Sequence, residues 1–383
     1  MNSKLFKMIS NVFILFGCVG IIINFSPYMA NQISMFSLAV LRLSNPSSVI
    51  EETQEKFGID KMNKNTNNIT APIEHIQSAM RPIKTEDGEA CEDITATPKD
   101  ILCLMEEAAS QYSEENTDGK TSEESYFGGG ELVSFDNVEV QSKIPESFYK
   151  LNIGNLLKNG SDLIIKDKKK PTILIYHSHT TEAYSMLDKG FYYNANSRSN
   201  DINKSVVRVG DEITRYLEKA GFCVIHDKEI HDTKYGESYA SSRANIQKYL
   251  EEYPTIEITI DVHRDTITYN DKTKVKPTAV INGKKAAKMM IISGCEYGRV
   301  KDFPNWEENL KFNLSVQQKI ASEYPDLMRP IMFSERKYNM DSTMTSFLLE
   351  VGSDANTLDE ACYSGRLFGK ALGELLNERY VKE

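Results

Sequence analysis

Three of the six histidines in this 383-residue chain stand where short apolar runs give way to polar sequence. The first cluster is Ile175-Tyr176-His177-Ser178-His179-Thr180-Thr181-Glu182-Ala183-Tyr184. His177 and His179 project to one side if the strand continues through them, and Glu182 comes within reach of the same ion if the chain turns after His179. The second is Ile260-Asp261-Val262-His263-Arg264-Asp265, in which His263 ends a strand whose polar face also carries Asp261. The third is Leu348-Leu349-Glu350-Val351-Gly352, a carboxylate inside an apolar strand, which is costly unless paired, hydrogen-bonded or close to a cation. Histidine and carboxylate ligands that leave one position open are what a catalytic zinc requires. Each feature alone fits a structural histidine or a solvent-facing glutamate; the combination of His-x-His-x-x-Glu, a distant strand-end His and an intrastrand Glu points to a hydrolytic metal site. Ser178 and Ser242 lie in neither G-x-S-x-G nor S-x-x-K, which argues against a serine nucleophile.

The elements that must position these groups read as an α/β domain. Thr172–Tyr176 is a short apolar run bounded by polar sequence, as for a buried strand. Val206, Val209, Ile213, Leu217 and Ala220 recur at helical spacing, Gly221 follows at the helix end, and Phe222–His226 resumes as a strand. This alternation predicts a twisted, mostly parallel sheet flanked by helices. Parallel strands deliver their C-terminal ends to one edge, where functional groups gather. In Ile256–His263 the period of two places the isoleucines on one face and Asp261 with His263 on the other. Asn282-Gly283 turns a hairpin, Trp306 to Ala321 has helical spacing, and Thr357-x-x-Glu360 is a capping box opening the last helix.

Upstream the chain changes character. Met8 to about Tyr28 carries no charge and follows Lys4 and Lys7; it is long enough to cross the ~30 Å hydrocarbon core at about 1.5 Å per residue. The lysines put the N-terminus in the cytoplasm and the rest outside. No convincing A-x-A site marks a cleaved signal, so an uncleaved single-pass anchor over residues 1–29 is expected. Residues 30–130 are acidic, rich in Ser, Thr and Gly, and poor in aromatics, which predicts a largely disordered extracytoplasmic spacer with at most a short helix near Ile101–Ala109. The catalytic domain is then 131–383. The formal net charge of -10 argues against a nucleic-acid partner, and the six cysteines, without any CxxC, support neither a disulfide framework nor a cysteine-rich zinc site.

These same residues carry a family resemblance. Tyr176–Tyr184 resembles the H-[TS]-H-x-x-E-[SA]-[YF] signature of the stage II sporulation protein P family. The likeness continues through Val209–Glu212, Val224–Asp227, Tyr239–Arg243, Asp261–Asp265, Asn305–Leu310 and Glu350–Leu358. The resemblance implies an amidase-like α/β fold and a zinc-dependent N-acetylmuramoyl-L-alanine amidase and endopeptidase that thins septal peptidoglycan during engulfment of the forespore. It also implies stage II sporulation proteins D and M as partners. The ligands it implies are His179 (or His177) and His263, with Glu350 serving catalysis. The amidases take a further carboxylate ligand from a helix start that here, near Asn203–Val206, offers no Glu; Glu182 takes that place, with Asp201 as the alternative and His177 as a further ligand option. His177 is otherwise expected to orient substrate, stabilise the oxyanion or support a ligand. Arg264 and Arg243 are candidates for holding a stem-peptide carboxylate, or else for ion pairs. The competing reading is a non-catalytic wall-binding scaffold of a membrane complex.

Overall fold

The computed structural model describes residues 93–382, apart from 113, 116, 126 and 127. The expected membrane span and the spacer up to residue 92 lie outside them. No helix among the described residues is long and apolar enough to cross a membrane.

In chain order the elements are α1 (Lys99–Ala109), β1 (Gly119–Glu123), β2 (Glu131–Phe135), β3 (Val138–Ser142), α2 (Ile153–Asn159), β4 (Pro171–Tyr176), β5 (Phe191–Tyr192), α3 (Val206–Lys219), β6 (Cys223–His226), α4 (Ser238–Glu252) and β7 (Ile258–Asp265). Then follow β8 (Lys274–Lys276), β9 (Thr278–Ile281), β10 (Lys284–Ala287), β11 (Met289–Gly294), α5 (Trp306–Glu323), β12 (Ile331–Ser334), β13 (Thr345–Ser353) and α6 (Leu358–Arg379). The local signals read from sequence recur here. Asn282 and Gly283 take φ of 49° and 79° in the β9–β10 hairpin, as a two-residue turn of primed type requires. Gly221 follows α3 at φ 92°, and Thr357 and Glu360 close the capping box of α6.

The main sheet has eight strands in the order β2-β3-β12-β11-β13-β7-β4-β6. It is mixed, which corrects the mostly parallel expectation. β13, β7, β4 and β6 run together, whereas β11 is antiparallel to β13 and carries β12 and β3 with it. A parallel return needs a crossover of about a dozen residues or more, usually helical. Between Ser334 and Thr345 there is only a loop, so the chain reverses.

Both faces of the central strands are buried, and alternate residues serve them. Ile173, Ile175, Ile258, Ile260, Val262, Phe347 and Leu349 pack against α3, α5 and α6 in the large core. On the other face Leu174 and Tyr176 meet Ile246 of α4, while Met290, Ile292 and Leu348 meet Phe303 and Met340. Asp261 lies in register with Tyr176, and His263 with Glu350. The polar groups therefore share this second face, between its two apolar patches. Each such apolar side chain contributes roughly 1.5–3 kcal/mol on full burial, which offsets the cost of holding several ionisable groups among them.

Residues 93–130 are not spacer throughout. Ile101 of α1 is fully buried in the large core, Asp100 pairs with Arg208 at 2.8 Å, and β1 joins β5 and β8 in a small separate sheet. The composition of this stretch is poor in apolar residues, but α1 packs a single apolar stripe and β1 is held by lysines: Lys276 Nζ lies 3.5 Å from Glu123.

Candidate metal centre

β4 ends at Tyr176 and the chain turns at once, with the Glu182 N–H donating to the His179 carbonyl at 3.1 Å. The turn is pinned from outside. Asp232 accepts the Thr181 N–H at 3.1 Å and its hydroxyl at 2.6 Å, and pairs with Arg198 at 2.7 Å. Thr180 Oγ1 accepts the His231 N–H at 3.1 Å. Three residues apart, His179 and Glu182 are thus brought onto the same side and aimed at β7.

His179, Glu182 and His263 each offer one ligand atom, and these lie within 4.8 Å of one another. Glu182 spans the two rings: Oε1 is 3.4 Å from His179 Nδ1 and Oε2 is 3.4 Å from His263 Nδ1. All three are buried. The far nitrogen of His263, Nε2, is 2.8 Å from Asp261 Oδ1, an arrangement that turns Nδ1 toward the shared space. Asp261 is held in turn by the Ser178 N–H at 2.8 Å and its hydroxyl at 2.7 Å. A carboxylate only accepts, so the Ser178 proton is spent there. Ser242 then donates to Ser178 at 2.8 Å, and Asn339 Nδ2 donates to Ser242 at 3.1 Å. Two serines without the setting of a nucleophile are links in a hydrogen-bond chain that ends on the Asp261 carboxylate, with His263 Nε2 on its other side.

Electrostatics fit the arrangement. Burial opposes charge on Glu182, yet His179 and His263 outweigh it and hold its carboxyl far below the usual range. Burial likewise opposes charge on His263, but Asp261 and Glu182 overcome it and hold the ring well above its usual value. Glu350, beside His263 in register, moves the other way: burial first, then the Asp265 and Glu182 carboxylates, push it up to about 8. Its Oε2 is buried without a hydrogen-bond partner. Two imidazole nitrogens and one ionised carboxylate form a donor set that fits a divalent cation with an open position, and Glu350 stands on the adjoining strand.

Several residues expected at the site stand elsewhere. The strand does not continue past Tyr176, so His177 faces α3, away from His179. Its Nδ1 donates to the Val262 carbonyl at 2.9 Å, and its Nε2 meets His226 Nε2 at 2.8 Å. With both nitrogens engaged it has none for substrate or cation; burial and then the His226 ring push it down to about 3. Asp201 caps its own turn through Asn203. Arg264 is buried and its guanidinium serves backbone: Nε donates to the Ala183 carbonyl at 2.7 Å, and the Ser197 carbonyl also accepts from it. Its contribution is to fix the loop behind Glu182, whose Oε2 accepts the Arg264 N–H at 3.1 Å. Arg243 forms a two-pronged pair with Asp341 at 2.8 Å on each oxygen. Both arginines therefore lack the free fork that a substrate carboxylate needs.

Aromatic walls went unread in the sequence. Tyr235, 62% exposed, stacks on His179 with centroids 4.5 Å apart. The Tyr239 ring lies 5.4 Å from His179 and 6.4 Å from His263. Only the one-turn spacing of Tyr235 and Tyr239 hinted at a shared face. Asp261 was more legible, because i and i+2 in a strand share a face with His263.

Comparison with known proteins follows the same residues. The family model for stage II sporulation protein P matches residues 44–373. The stage II sporulation protein P of Bacillus subtilis (strain 168) is 30% identical over 256 residues, 60% of this chain and 60% of that protein. The chain thus spans about 60% of the length of that curated relative. Among solved structures, the N-acetylmuramoyl-L-alanine amidase AmiC2 of Nostoc punctiforme is 11% identical, with 56% of this chain and 97% of that chain covered at a TM-score of 0.33. The CwlD amidase of Clostridioides difficile, solved in complex with the GerS lipoprotein, is 12% identical, covering 54% and 99% at 0.34. These structural likenesses are too distant to assign an activity. The family match spans most of the sequence, the metal cluster included, and the chain belongs to the stage II sporulation protein P family.

Proposed function

We propose that this protein is a zinc-dependent peptidoglycan hydrolase that cleaves the muramoyl–L-alanine amide and also peptide cross-links, anchored by its N-terminal segment outside the membrane, where it thins the septal wall during engulfment. One observation carries the reading: a buried His179–Glu182–His263 set with an unpartnered Glu350 oxygen on the adjoining strand. His179, Glu182 and His263 would hold the zinc, which would supply a water of lowered pKa, toward ~7, and Lewis acidity at the scissile carbonyl. Glu350 accepts the proton of the attacking water as the new C–O bond forms, and delivers it to the amine nitrogen as the C–N bond breaks. Its raised pKa suits both halves of that transfer. Asp261 keeps His263 turned inward, and Arg264 holds Glu182 from behind.

Digestion of purified sacculi tests this. Glu350→Gln is expected to lower the rate of stem-peptide release by about 10²–10⁴-fold with zinc content unchanged, and His263→Ala to lose both zinc and activity. Wild-type protein with stoichiometric zinc that released no stem peptide would overturn the proposal and favour a wall-binding scaffold.

A further inference from the structure

The groove beside the His179–Glu182–His263 cluster presents one guanidinium that is in no ion pair. It holds about 380 Å³ and is lined by Tyr239, Arg243, Glu335, Arg336, Lys337 and Tyr338 among others, and the Glu335 carboxylate accepts the Arg299 N–H at 2.7 Å. Arg243 and Lys337 share the single Asp341 carboxylate, at 2.8 and 3.1 Å. Arg336 is different. It is exposed, its Nη1 donates to the Glu335 carbonyl at 3.1 Å, and its guanidinium lies 5.9 Å over the Tyr338 ring. Among the described residues no carboxylate pairs with it.

The loop that presents Arg336 is locally strained and held by hydrogen bonds. Tyr338 and Asn339 both take left-handed backbone, φ 41° and 59°, which non-glycine residues adopt at a cost and which clusters at ligand sites. Asn339 holds the turn against α4, donating to the Tyr239 carbonyl and to Ser242 at 3.1 Å each. Lys337 Nζ donates to the Asp302 carbonyl at 2.8 Å. The result is a flat stack, Tyr338 on Tyr239 at 4.8 Å and 12°, leading from His263 to the free guanidinium. Its steps are 6.4, 4.8 and 5.9 Å, a path that about five extended residues or fewer can span at roughly 3.4 Å each.

We infer that Arg336 is a specificity-determining residue: with the Tyr338–Tyr239 stack as platform, it binds a free carboxylate of the short peptide whose amide lies at the metal centre. This rests on the hydrolase reading for the substrate class and gives Arg336 the role that Arg264 and Arg243 cannot fill. A guanidinium presents paired donors that match a carboxylate, and the ring beneath it limits its rotation.

The test reads binding, with Glu350→Gln in every protein so that the probe is not cleaved; wild type here refers to position 336. Full-length protein is titrated by calorimetry with a soluble muramoyl tripeptide bearing free carboxylates, and with the same compound converted to carboxamides. Wild type is expected to bind the free acid about tenfold more tightly. Arg336→Ala should lose that preference by weakening the free acid alone, and Arg336→Lys should recover part of it. Equal affinity of wild type for the two compounds, no binding of either, or a preference that survives in Arg336→Ala overturns the inference. Loss of sacculus digestion by protein with Glu350 in place, the preference being intact, would instead count against the hydrolase reading alone.

Discussion

At the scale of single residues, the raised pKa of His263 marks a proton that a bound cation would replace, and the pKa of Glu350 beside it is raised as well. His263 and Glu350 both have raised pKa values, so the folded form binds these protons more tightly than the unfolded one. Their contributions are intact below the unfolded values, about 4.3 for Glu and about 6.5 for His, and are lost as pH rises through the folded values. Protein stripped of metal is therefore expected to melt at a lower temperature at about pH 9 than at about pH 6. Stoichiometric zinc should lessen that loss, since metal on His263 takes the place of its proton. Melting curves in chelator that do not move over this range would contradict the electrostatics. Asp261→Asn keeps the shape but removes the charge that turns His263 inward; zinc affinity should fall by about 10–100-fold, read by competition with a chromogenic chelator.

At the scale of elements, the strands were legible because apolar periodicity is strong in Ile173–Tyr176 and Ile258–Val262, and caps and turns such as Thr357–Glu360 and Asn282-Gly283 have fixed chemistry. What the sequence hid was where a period stops. His177 and His179 look equivalent only if β4 runs on; the turn at Ser178 sends one ring to α3 and the other to the cluster. Arg264 and Arg243 misled for a related reason, since the partners that occupy them, Ala183, Ser197 and Asp341, lie far off in the chain. The His177–His226 pair exacts its own condition from α3. A Cβ on Gly210 would stand 2.6 Å from His226 Nε2 and 2.9 Å from His177 Nε2. Alanine in a helix interior usually gains about 0.5–1 kcal/mol over glycine. Here Gly210→Ala should instead destabilise, by about 1–3 kcal/mol of overpacking, which denaturant unfolding can measure.

At the scale of the whole molecule, the domain begins earlier than composition suggested. Ile101 is fully buried, Lys284 reaches the Thr95 carbonyl at 2.9 Å, and Arg366 Nε donates to the Ile94 carbonyl at 2.8 Å. Ile101→Ala is expected to cost about 2–5 kcal/mol. A chain starting at Glu131 should unfold at lower denaturant than one starting at Asp93; equal midpoints would restore the spacer reading. The relay from Asn339 through Ser242, Ser178 and Asp261 to His263 spans the distance from the groove wall to the cation's cradle. If binding of the proposed peptide at one end shifts the other, linkage requires peptide and zinc to change each other's dissociation constant by the same factor. Zinc titrations with and without the muramoyl tripeptide measure that factor. Under the proposed reading, a positive coupling means that a copy without metal binds the peptide more weakly by that same factor.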